Sequence, residues 1–177
     1  MQILRSQIIG RHVFNIQGGY DMGTITDIIA DMKNLHISLF VVKKFDDLKQ
    51  PYYLMPDDIR QIITQRAIVD REDKLSEAEE LIRLQKAIKQ HFNLMSCSVQ
   101  TVSGKKLGKV IDCSFDDSFF IVKKIYVSVR LWNKVFHDQL IIDRDDIVDV
   151  TAKRITVRDG FAKNRQTITN VLPAKAS

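Results

Sequence analysis

Proline is scarce in this chain, at 3 in 177 residues, and glycine comes to only 7. So little of either excludes collagen-like, linker-rich and low-complexity chains. Cysteine is limited to Cys97 and Cys113, too few for a disulfide-stapled scaffold, and both fall in one predicted hairpin. No apolar run nears the roughly 20 residues that a bilayer-spanning helix requires. The opening MQILRSQIIGRHVF has no long apolar core followed by a small-residue cleavage site. These absences lead us to expect a cytoplasmic protein without membrane insertion, its two cysteines reduced and buried. Histidine offers His12, His36, His91 and His137, none at a metal-ligand spacing. There is no phosphate-binding loop, dinucleotide glycine fingerprint or serine elbow. The expectation is a protein that is not an enzyme, with no cofactor and no metal.

What the chain has instead is a duplication. Val13 to Asp31 reads VFNIQGGYDMGTITDIIAD, and Val99 to Asp116 reads VQTVSGKKLGKVIDCSFD. Both are strand, glycine turn and strand, with a second glycine four residues after the first (Gly19 and Gly23, Gly104 and Gly108) and an aspartate four further on (Asp27, Asp112). Each copy then runs through an apolar strand, an Asp-Asp-Ile element (Asp57 to Ile59, Asp145 to Ile147) and a strand opening at Arg66 or Arg154. The repeat length, 85 residues at the glycines and 88 at the arginines, is too long for a solenoid and suits a duplicated small domain.

Hairpin glycines supply positive φ at Gly19 and Gly104, while Gly23 and Gly108, inside strands, predict bulges or sharp bends. Period-two alternation in KKIYVSVRL puts Ile125, Val127, Val129 and Leu131 on the core face and Lys124, Tyr126, Ser128 and Arg130 on the wet face. The same reading of the first copy turns Leu35, Ile37, Leu39 and Val41 inward. It leaves Phe40 and Val42 on an apolar outer face, ready for the other domain or a partner. Between the copies, LSEAEELIRLQKAIKQHF predicts a helix, with Ser76 as N-cap, Glu79 completing a capping box, and a stripe of Leu81, Leu84, Ala87 and Ile88.

These motifs, with LMPDDIRQI, RAIVD, LIIDRDDIVDV and RITV, resemble the PRC-barrel family, the small β-barrel found in the cytoplasmic part of the photosynthetic reaction centre H subunit and in a ribosome maturation factor. The resemblance covers most of residues 4 to 160. It implies a mainly β fold of two tandem small PRC-type β-barrels joined by one α-helix. The expected units are a first barrel at 1–75, a linking helix at 76–91, a second barrel at 92–160 and a basic tail at 161–177, its end mobile. It also implies an adaptor that docks other proteins. The second copy departs from the first in having Ser96 for Gly10 and Arg144 for Pro56.

Net charge is +5, and it is unevenly placed. Residues 1–75 balance at ten charges of each sign, whereas the tail carries Lys163, Arg165 and Lys175 with no acid. Lys105, Lys106 and Lys109 on the second hairpin replace Tyr20, Asp21 and Thr24 of the first. With Lys124, Tyr126 and Arg130 they form a candidate surface for RNA, a ribosome or an acidic protein. Phe40 and Val42 on one barrel, and Trp132 and Phe136 on the other, are the candidate anchors for a protein partner, a second copy of the chain included. The Asp-Asp pairs point to opposite faces of an extended chain and are expected to take a capping or turn role. Asp27 and Asp112 are expected to accept backbone hydrogen bonds.

Overall fold

The computed structural model describes residues 1–129 and 138–160. Arg130, Trp132, Phe136 and the tail 161–177 lie outside the described residues. The first-half strands are β1 (Gln2–Leu4), β2 (His12–Asn15), β3 (Tyr20–Ala30), β4 (Ile37–Lys44), β5 (Tyr52–Leu54), β6 (Ile59–Ile62), β7 (Arg66–Val69) and β8 (Leu75–Ser76), with a short helix α1 (Arg5–Ile8) after β1. After α2 (Gln85–Gln90) come β9 (Ser98–Thr101), β10 (Lys106–Asp116), β11 (Val122–Val129), β12 (Asp138–Asp143), β13 (Ile147–Val150) and β14 (Arg154–Val157).

The strands form two seven-stranded sheets, ordered β6-β7-β2-β3-β4-β5-β8 and β12-β11-β10-β9-β14-β13, with β1 added to β10. Each repeats the same pairing: β2 lies antiparallel to β3 and parallel to β7, as β9 does to β10 and β14. Even the irregularities recur. Register shifts fall between Ile25 and Asp27 and between Val110 and Asp112, and again at Ile29/Ala30 and Ser114/Phe115. The sequence therefore repeats its bulges as well as its strands, and bulges set how a strand bends.

Gly23 and Gly108 each follow a bulge, as the sequence suggests, and they also lie hard against a neighbouring strand. A Cβ at Gly108 would overlap the Ser128 carbonyl, and one at Gly23 would press on the Lys43 carbonyl. Gly108 also sits at φ +152°, a conformation that L side chains rarely adopt. The Asp-Asp pairs close two 3₁₀ turns, Pro56–Asp58 and Arg144–Asp146, that lead into β6 and β13.

Two sequence expectations are corrected. The face assignment holds for Leu35 and Ile37 but is reversed on β4 after Ser38: Phe40 and Val42 are fully buried in the main core, while Leu39 and Val41 face the connecting segment. The cause is the register shift opposite Ser38, where Ile29 pairs Leu39 and Ala30 pairs Ile37. One extra residue turns every later side chain to the other face. Phe40 and Val42 are thus core residues and not an exposed partner anchor. The connecting segment is also not one helix. Ser76 pairs with Tyr53 in a strand, and the capping box forms one residue later, between Glu77 and Glu80. Two 3₁₀ turns, Ala78–Glu80 and Ile82–Leu84, then precede the six-residue α2. Packing decides this: Leu81, Leu84, Ala87 and Ile88 lie on Ile29, Leu39, Val41 and Tyr53, and that sheet contact overrides a weak local helix preference.

The halves join through equivalent residues. His36 bridges Ile121, its own counterpart in the repeat, while the Ile37 amide donates to the Phe120 carbonyl (2.7 Å) and the Val122 amide donates to the Leu35 carbonyl (3.0 Å). Reciprocal bonds between matching residues are the signature of an isologous, two-fold interface, here within one chain. Leu35 and Phe120 hold matching left-handed conformations, φ 55° and 53°, to make it. Around this contact Phe40 packs against Phe120 (5.8 Å between rings) and Phe115 (6.2 Å), and one apolar core runs through both sheets.

Both cysteines are free and buried. Burial raises the Cys97 thiol, and burial beside Asp112 pushes Cys113 up to about 12. Neither thiol is expected to react with Ellman's reagent in the folded protein at pH 8, and both should react in denaturant. Rapid colour release from the native protein would contradict this placement.

Candidate interaction surface

The outer face of each sheet, turned away from the shared core, is where the two halves differ most. In the first half Ile29, Leu39, Val41 and Tyr53 occupy it, all buried beneath residues 78–88. The repeat puts Ser114, Lys124, Tyr126 and Ile141 at the matching positions, and cross-strand pairing keeps them together: Ser114 opposite Lys124, Tyr126 opposite Ile141. Lys124, Tyr126 and Ile141 are half-buried, and no described segment crosses them as residues 78–88 cross the first sheet.

The predicted basic residues come together on this face. Val99, Val110 and Val127 point into the core, so Ser98, Lys109 and Ser128, which pair across β9, β10 and β11, point outward. Lys106, opposite Gln100, extends the row, and Lys105 is exposed in the hairpin turn beside it. Lys124 pairs with Asp143 at 3.4 Å, whereas Lys105, Lys106 and Lys109 form no ion pair among the described residues. Arg130, expected on the same row, lies outside the described residues, as do Trp132 and Phe136.

Asp27 and Asp112 pair across the sheet with Val41 and Tyr126 of these outer faces, and both accept the backbone hydrogen bonds their position suggested. Asp27 accepts from its neighbour's amide, Ile28 (2.9 Å), and Asp112 from Cys113 (2.8 Å). Each also clasps a crossing segment. Asp27 binds Arg5 (2.8 Å) and His91 (3.2 Å), while Asp112 takes the Ser6 hydroxyl and the Ser6 amide (3.2 Å). Burial alone would raise the Asp27 carboxyl, but Arg5, the Ile28 amide and His91 outweigh it and hold it below the ordinary range. These aspartates hold structure in place. Among the described residues no group of three or more His, Cys, Asp and Glu side chains converges as metal ligands would, and no helix is long and apolar enough to cross a membrane.

The alternation pattern does not reveal a second exposed apolar feature. Phe45 and Leu48, 52% and 64% exposed, stand in the loop between β4 and β5, with Phe45 edge-on to His12 at 5.4 Å. Beneath them Arg66 clamps Asp21 (2.9 Å) and lies over the Phe14 ring (4.5 Å). The signal that could have found them is the repeat itself: FDDLKQP occupies the place in the first copy that the stretch with Trp132 and Phe136 occupies in the second.

No curated protein matches the chain. A protein-family model does match, with the description PRC-barrel domain, over residues 1–75. That span holds β2 through β7, the whole of one repeat, and the chain carries a PRC-barrel domain there.

Proposed function

We propose that the second half is a second PRC-type barrel and that the protein is a non-enzymatic cytoplasmic adaptor, docking protein partners on the outer face of the second sheet. The observation that carries this reading is the contrast between matching faces. The first is apolar and covered by the chain's own residues 78–88; the second is basic, carries Tyr126 and Ile141, and has no such cover among the described residues. A half-buried tyrosine inside a rim of lysines has the composition of a partner anchor, with the charges setting orientation and association rate. The family match supports an interaction module.

The same lysine row favours a second reading, an RNA- or ribosome-associated factor, because a basic groove with an aromatic platform also suits single-stranded nucleic acid. Salt and ribonuclease separate the two. Capture from a lysate by the full chain is expected to survive ribonuclease, to weaken about tenfold or more on Tyr126→Ala, and to lose association rate on the double change Lys106→Glu and Lys109→Glu. Capture abolished by ribonuclease and unaffected by Tyr126→Ala would replace the adaptor with the RNA reading.

A further inference from the structure

The first sheet closes its β5 edge with β8: Leu54 pairs Leu75, Tyr53 pairs Ser76, and the chain then turns across the outer face. The matching edge of the second sheet is β12. It pairs with β11 in unbroken register from Asp138 to Asp143, and no described strand pairs its other side. An edge with no bulge, proline or lysine to blunt it is a template for another strand.

We propose that β12 receives an extended, acidic, amphipathic segment of a protein partner, which adds as a strand and then lies across Tyr126 and Ile141 as residues 75–88 lie across the first sheet. The inference rests on the docking reading above and specifies its mode, strand addition with side-chain anchoring. Charge identifies the occupant. The segment that closes the first sheet continues from its strand into Glu77, Glu79 and Glu80, and the face that a segment leaving β12 would cross presents Lys106 and Lys109 on β10, beyond β11, without ion-pair partners among the described residues. The chain's own tail carries Lys163, Arg165 and Lys175 and no acid, the wrong sign for that face.

The test uses the full chain and, as probe, a synthetic peptide of residues 74–84, KLSEAEELIRL, read by amide hydrogen exchange. The outward-directed amides of residues 138–143 should exchange fast in the free protein and at least tenfold more slowly at saturating peptide. A peptide with its three glutamates changed to lysine should give no slowing, and Ile141→Glu should weaken the native peptide about tenfold. Three results overturn the proposal: no slowing on β12 at millimolar peptide; β12 amides slow in the full chain but fast in residues 1–160, which assigns the edge to the tail; or slowing that grows with protein concentration, which assigns it to a second copy. Partner capture that still depends on Tyr126 while β12 stays unprotected would sink strand addition and leave the docking reading standing.

Discussion

Phe40→Ala is expected to destabilise the protein by about 3–5 kcal/mol, the usual cost of emptying an aromatic core site. For a chain of this size that corresponds to a fall in Tm of roughly 10 °C or more. The site is unusual in whom it serves. Phe40 belongs to the first sheet, yet its ring neighbours Phe115 and Phe120 belong to the second half, at 6.2 and 5.8 Å. The cavity would open between the halves, so both should lose stability together. Thermal unfolding followed at once by circular dichroism and by exchange of β3 and β10 amides checks this. A single lowered transition for both strands is the expected result; two transitions, with β10 unmoved, would show that the halves stand alone.

Gly108→Ala is expected to cost about 2–5 kcal/mol, combining backbone strain at φ +152° with overpacking against the Ser128 carbonyl. The crowding atom is strand backbone, in the Lys109–Ser128 pair that ends the β10–β11 ladder and paired again to Gln139 of β12, so it cannot swing aside as a side chain would. Gly104→Ala is the control. It also has positive φ, +85°, but nothing lies within 4 Å of the added methyl, so only the conformational cost of about 1 kcal/mol applies. Urea midpoints for the two variants separate crowding from strain: a large drop for Gly108→Ala and a small one for Gly104→Ala are expected, and equal drops would remove the close approach from the account.

Features written in local chemistry were legible from the residues. The hairpin glycines, the Asp-Asp-Ile turns and the backbone-binding Asp27 and Asp112 depend on a few neighbours in sequence, and they fall where the pattern put them. The alternation of β11 was also readable, because its bulge lies at Lys123, ahead of the alternating run, and Ile125 and Val127 are buried as expected. On β4 the matching bulge at Ser38 falls inside the run, and no residue type there announces it, so the faces of Phe40 and Leu39 were exchanged. The connecting segment failed for a different reason: its apolar stripe is right, but the sheet beneath it sets the backbone. Of the surface, Lys106 and Lys109 were found because they replace the first copy's residues, and Lys124 and Tyr126 because the alternation turns them outward; the cover on one face and its lack on the other among the described residues belong to tertiary structure, which the chain's local pattern does not encode.

The docking face is tested most directly by placing a photo-crosslinking phenylalanine analogue at Tyr126, and separately at exposed Lys33, in the full chain inside the native cell. Irradiation should give one or a few defined protein adducts at Tyr126, lost on Lys106→Glu with Lys109→Glu and not seen from Lys33. The same adducts from both positions, or none from Tyr126, would contradict a partner seated on the second sheet.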